Sequence, residues 1–160
     1  MHYFDQINGH KCLYLDHVGE PEDNSLLLRI DEARSEGPEI DVEIVEGKSL
    51  KGRAIETTID CSRYSVYFEG YIAYAIVNES YAQTGKNELY EGDLARVYSR
   101  SHFLDFVSKT TFASSDYPGP FTHYAFMCLN HCVDVVSCIP PKIEQYLATK
   151  PSSHGTNFVR

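Results

Sequence analysis

The sequence predicts a single α+β domain: a curved, mainly antiparallel sheet of about five to seven strands, with two late helices. Three observations predict it. Short apolar, β-branched and aromatic runs recur along residues 25–98, and "IDVEIVEG" and "RAIETTIDCS" alternate apolar with polar side chains, the period-two mark of strands with one wet face. Helical spacing is confined to the last third of the chain. Strands first and helices late is the order of an α+β domain, not of a parallel α/β fold. The 160 residues are enough to bury ~70% of the unfolded surface around one core, and no repeat or linker divides them. One domain is expected over 1–150, with 151–160 a loose tail.

Taken in order, "KCLYLDHV" predicts a short strand and "GEPEDN" a turn. "SLLLRIDEA" predicts a second strand, broken by "RSEGPE". In "IDVEIVEG", Ile40, Val42 and Ile44 share one side and Asp41 and Glu43 the other, with Gly47 and "GKSLKG" ending the strand. "RAIETTIDCS" alternates again, placing Ile55, Thr57, Ile59 and Cys61 on one face. "RYSVYFEGYIAYAIVNES" reads as a hairpin turning at Glu69-Gly70, which would set Phe68 against Tyr71, Tyr67 against Ile72 and Val66 against Ala73. "YAQTGKNELYEGD" is a polar loop and "LARVYS" a short strand.

Ser99 or Ser101 is placed to cap a helix through "SHFLDFVSKTTFA", with Phe103, Val107 and Thr110 at helical spacing. "SSDYPGP" ends it, because prolines cannot continue a helix. "PPKIEQYLA" predicts the second late helix, proline in its first turn and Ile143, Tyr146 and Leu147 on one face.

The densest chemistry lies in "HYAFMCLNHCVDVVSC", residues 123–138, with two histidines, three cysteines and an aspartate. On a helix, Cys128 and Cys132 would share a face and could ligate one zinc ion. On a strand they stand roughly 13 Å apart, too far for one metal. The aromatic and β-branched content favours one long strand bent near Asn130, or two strands. A single strand would put Tyr124, Phe126, Cys128, Cys132 and Asp134 on one face and His123, His131 and Val133 on the other. The apolar surroundings would keep the cysteines protonated, as small hydrophobes and not nucleophiles. No catalytic residue, metal or cofactor is therefore expected, and no phosphate-binding, zinc-protease or nucleophile-elbow motif is present.

The formal charge of −9 is concentrated early: residues 16–46 carry 11 acidic and 2 basic side chains. Such a field opposes direct nucleic-acid binding and accelerates encounter with a basic protein. The competing reading is a solvated face that keeps the chain dispersed. Five cysteines without regular spacing argue against a disulfide framework. No apolar run approaches the ~20 residues of a membrane span, and the N-terminus carries no leader pattern. A cytoplasmic protein with reduced thiols is expected.

The stretches "YSVYFEGYIAYAIVNESYA", "YSRSHFLDFVSKTTFA" and "YPGPFTHYAFMCLNHCVDVVS" resemble a group of small bacterial single-domain proteins, some of them immunity proteins of polymorphic toxin systems. The resemblance spans about residues 64–138 and leaves the acidic third outside it. It implies a non-catalytic protein that neutralises a toxin, with no catalytic residue to carry over. For such a role the candidate contacts are Glu20, Glu22, Asp23, Glu36, Glu39, Asp41 and Glu43, whose carboxylates would replace phosphates against a basic nuclease. The rival expectation is a small enzyme or ligand-binding protein with a pocket beside the sheet, lined by Tyr74, Glu79, His102, His123 and His131. A third is a structural module that oligomerises through a strand edge.

Overall fold

Leu26, Leu28 and Ile30 alternate along one strand, and Tyr64, Val66 and Phe68 along another; all six are buried on the face where two sheets meet. The structure, a computed structural model, describes residues 2–147 and 157–159. In chain order its elements are α1 (His2–Asn8), β1 (Cys12–Gly19), β2 (Leu26–Ala33), β3 (Glu39–Val45), β4 (Lys48–Ile55), β5 (Ser62–Phe68), β6 (Ala73–Asn78), β7 (Leu89–Glu91), β8 (Ala95–Arg100), α2 (His102–Thr110), β9 (Thr122–Met127), β10 (His131–Ser137), β11 (Lys142–Leu147) and β12 (Asn157–Val159).

These strands form three antiparallel sheets: β1-β2-β5-β11, β6-β10-β9-β8-β7, and β12-β4-β3. The first two pack face to face, Leu13 and Leu15 of β1 and the β2 and β5 residues meeting Ala95, Tyr124, Phe126, Val133 and Val135. Each large apolar side chain so buried contributes about 1.5–3 kcal/mol. α1 closes one flank with Ile7 in the core and Phe4 against the rings of Tyr124 and Phe126. α2 lies on the outer face of the five-stranded sheet, anchored by buried Val107 and capped by Ser101, whose Oγ accepts the Leu104 amide at 3.0 Å.

The expectation of a mainly antiparallel sheet with few helices holds, which makes the fold broadly α+β or mainly β, while the details change. Twelve strands are present among the described residues, not five to seven, and one helix stands at the N-terminus with a single late one. Residues 142–147, expected as a helix, form β11 beside β5, where Ile143 opposite Val66 enters the core and Leu147 is exposed. Pairing with the free edge of β5 outweighs a weak three-residue helical face. Asn157–Val159, within the expected tail, pair with β4; the rest of 148–160 lies outside the described residues.

The hairpin expected at Glu69-Gly70 does not form. β5 pairs with β2 and β11 while β6 pairs with β10, so Phe68–Tyr71, Tyr67–Ile72 and Val66–Ala73 are not cross-strand pairs. Gly70 lacks the positive φ that a tight hairpin turn requires, and the chain crosses from one sheet to the other there. The same Glu-Gly dipeptide does turn hairpins at Glu46-Gly47 and near Glu91-Gly92, where the glycines have φ of 80° and 88°. A strand thus starts at Lys48, inside the expected terminator, and ends at Ile55; Thr58–Cys61 form a turn and Ile59 is exposed.

Candidate functional site

Residues 122–137 form a β-hairpin. Met127 pairs with Cys132 and His123 with Val136, so the chain reverses through Cys128–Asn130. The turn is held from outside: the Asn130 side chain donates to the Leu15 carbonyl at 2.9 Å and accepts the Leu15 amide at 3.0 Å. A side-chain amide here satisfies backbone groups at the edge strand β1, which would otherwise be open to another chain. Reversal changes the face assignment. Tyr124, Phe126, Val133 and Val135 point into the core, while His123, Met127, Cys132 and Asp134 share the outer face.

His123 is the centre of that face. Its Nε2 lies 2.9 Å from Asp134 Oδ1 and its Nδ1 2.8 Å from Ser101 Oγ. Tyr98 stacks on the ring at 4.3 Å between centroids, and Phe103 meets its edge. With the ring neutral, Nε2–H donates to the carboxylate and Nδ1 accepts the serine hydroxyl proton. Ser, His and Asp in line have the composition of a hydrolytic relay. The nucleophile's place is wrong for one: Ser101 is 3% exposed and its Oγ already accepts the Leu104 amide. The arrangement ties the β8–α2 junction to the β9–β10 hairpin.

Beside it opens a cleft of 530 Å³. Val77, Leu94, Met127 and Phe103 give it apolar walls; Asp134, Glu79, Glu88, His102, Thr84 and Lys11 give it polar ones. Glu88 is engaged, accepting the Gly85 and His102 amides. The His102 ring packs over Gly85, where a Cβ would lie 2.4 Å from its Nε2 and would push the exposed ring aside. Three of the five expected pocket residues, Glu79, His102 and His123, line the cleft. Tyr74 does not; it packs edge-on against Tyr71 on the core side, 4.9 Å between ring centroids. His131 sits outside the lining too, beside Asn78 in the β6–β10 ladder.

The sulfur atoms do not converge on a metal: among the described residues no group of three or more His, Cys, Asp or Glu side chains is placed to hold one. Burial pushes the Cys128 thiol strongly upward, and burial followed by the Asp134 charge pushes Cys132 up to about 11. Both are thiols at neutral pH, not nucleophiles.

The seven acidic candidates fall in two places. Glu20, Glu22 and Asp23 lie on the β1–β2 loop, whereas Glu36 follows the far end of β2, an eight-residue strand roughly 25 Å long, and Glu39, Asp41 and Glu43 lie on β3 in the three-stranded sheet. The far group is partly neutralised. Glu39 pairs with Arg53 at 3.7 Å, Asp41 stands opposite Lys51, and Glu36 lies 3.8 Å from Arg34. In the near group Glu20 accepts the Tyr71 hydroxyl at 2.6 Å, which pushes that phenol up to about 12.

The expected pocket omits Tyr98 and Asp134, which line the cleft, and Ser101, which holds His123 behind it. Ser101 is legible as a cap, and Asp134 would follow from His123 once "CLN" is read as a turn. Among the described residues no helix is long and apolar enough to cross a membrane. No protein-family model, no curated protein and no solved structure matches the chain.

Proposed function

We propose that the chain is a cytoplasmic, non-catalytic binding protein of the immunity kind, which neutralises a basic toxin domain. The observation that carries this reading is the exposed acidic β1–β2 loop with Glu20, Glu22 and Asp23, whose Glu20 accepts the hydroxyl of Tyr71, itself packed on Tyr74. The ion pairs of the described acidic candidates involve Glu36 and Glu39 and none of these three. Exposed carboxylates next to tyrosines suit capture of a basic surface: the charges speed encounter and the rings anchor it at modest entropic cost. Two further features agree with it. The serine of the Ser–His–Asp chain is committed to a helix cap, and the buried cysteines are protonated.

The test is coexpression with the C-terminal domain of a secreted toxin encoded next to this chain. The wild type is expected to restore growth and to associate with the purified domain at a salt-dependent rate. Reversal of the three loop charges (E20K/E22K/D23K) is expected to slow association and flatten its dependence on salt. A folded triple variant that protects equally and associates equally fast would rule out this surface, and failure of the wild type to protect would remove the function.

A further inference from the structure

Beyond partner capture, we propose that the cleft above Asp134 binds an alkyl cation: a guanidinium or primary ammonium on a short apolar stem. The recognition group is Asp134. Its side chain is 25% exposed and Oδ1 receives His123 Nε2, leaving Oδ2 for a donor from the cleft. His123 spends its other nitrogen on Ser101, so one hydrogen-bond chain orients Asp134 through Oδ1. Among the described residues no lysine or arginine forms an ion pair with it. Arg96 shares its row of the sheet across Ala125, but that guanidinium is held by the Asp93 carbonyl, Thr84 and Tyr98 and lies over the Tyr90 ring.

The remainder of the cleft selects the same chemistry. Glu79 stands at the mouth, Lys11 is the single lining lysine, and Tyr81, 83% exposed, offers a ring face to a cation. Leu94, Met127 and Val77 line the same cleft with apolar surface for methylene groups and give an anion nothing to hold. A volume of 530 Å³ lies within the ~300–1,000 Å³ usual for small-ligand sites. A half-buried carboxylate attracts a cation more strongly than one in bulk water, and the bond it makes is charge-assisted. The cation's source is either a free small amine or an arginine or lysine side chain of a basic protein.

The probe is n-butylguanidinium, titrated calorimetrically and by backbone amide shifts, with n-butylurea as its neutral isostere. Saturable binding is expected, with shifts at Thr84, Cys132 and Asp134 and at least ~10-fold weaker binding of the urea. Asp134→Asn is expected to weaken binding ~10-fold and Glu79→Gln ~3-fold. Glu79 is exposed at the rim, so the second variant keeps the test open should the first not fold. A Gly-Gly-Arg-Gly-Gly peptide distinguishes the sources: equal affinity assigns the site to a partner's side chain, and exclusion of the peptide assigns it to a free cation. No saturation at millimolar concentration, equal binding of the urea, or unchanged affinity in both folded variants would overturn the proposal.

Discussion

His123 and Asp134 are eleven residues apart in sequence and 2.9 Å apart across the β9–β10 hairpin, with Ser101 on the opposite nitrogen of the same ring. Because His123 is 2% exposed, removing it orphans two polar partners and leaves a void under Tyr98. His123→Leu is expected to cost about 2–4 kcal/mol by urea denaturation. Ser101→Ala loses the helix cap and is expected to cost ~1–2 kcal/mol. The double variant should cost less than the sum, since both act on one chain of hydrogen bonds. A fluorophosphonate should leave Ser101 unlabelled; labelling of the native protein would show an accessible nucleophile and end the structural reading.

Short apolar, β-branched and aromatic runs located most of the strands, and in the structure a half-buried strand writes its two faces directly into such a run. Leu26, Leu28 and Ile30 are an example, as are Tyr64, Val66 and Phe68. Partner choice left no such trace. Glu69-Gly70 and Glu46-Gly47 look alike as dipeptides, yet only the second has the glycine at positive φ, a difference decided by which sheet each flanking strand joins. The candidate site was half legible for the same reason. His123, His102 and Glu79 stand out as titratable groups, but the face that His123 shares with Asp134 depends on a turn at Cys128–Asn130. That turn carries no glycine or proline, and Leu15 of a distant strand holds it.

Asn8 is a second long-range clamp. Its Oδ1 accepts the amides of Asp93, Leu94 and Ala95 at 2.8–2.9 Å, and its Nδ2 donates to the Ala95 carbonyl. Asn8→Ala leaves three donors without that acceptor at the start of β8 and is expected to cost about 2–4 kcal/mol. Asn8→Asp keeps the acceptor and should cost less. Gly92→Ala should also destabilise, since φ is +88° and a Cβ would lie 2.1 Å from the Ala95 carbonyl oxygen. Chemical denaturation checks all three, and an Asn8→Ala protein as stable as wild type would refute the clamp.

Acid should loosen the protein through Glu32. Burial works to raise this carboxyl, but hydrogen bonds from Arg34 and the Ser62 amide, with His10 nearby, hold it below its ordinary value. A folded-state value below the unfolded one means the unfolded chain binds the proton more readily. The stabilisation is therefore complete above pH ~4.5 and lost as pH falls through the lowered folded value. Urea midpoints between pH 7 and 3 are expected to fall more steeply for wild type than for Glu32→Gln. Parallel curves would show that Glu32 does not titrate differently on folding.

Thiol accessibility separates the cysteines and tests the hairpin at the same time. Cys138 is exposed, Cys12 is half-buried, and Cys61, Cys128 and Cys132 are buried. Cys132, raised to about 11 by burial and the Asp134 charge, carries a thiolate fraction of roughly 10⁻³ at pH 8. Because its folded value lies above the unfolded one, its stabilising protonated form persists at neutral pH and is lost only as pH rises from about 9 towards 11. Iodoacetamide at pH 8 should therefore modify Cys138 first and Cys12 more slowly, with Cys61, Cys128 and Cys132 reacting only after denaturant is added. Had residues 123–138 formed one helix with its sulfurs gathered on an open face, Cys128 and Cys132 would react together in the native state; mass spectrometry of the native digest showing modification of Cys128, 2% exposed in the hairpin, would refute the β9–β10 arrangement.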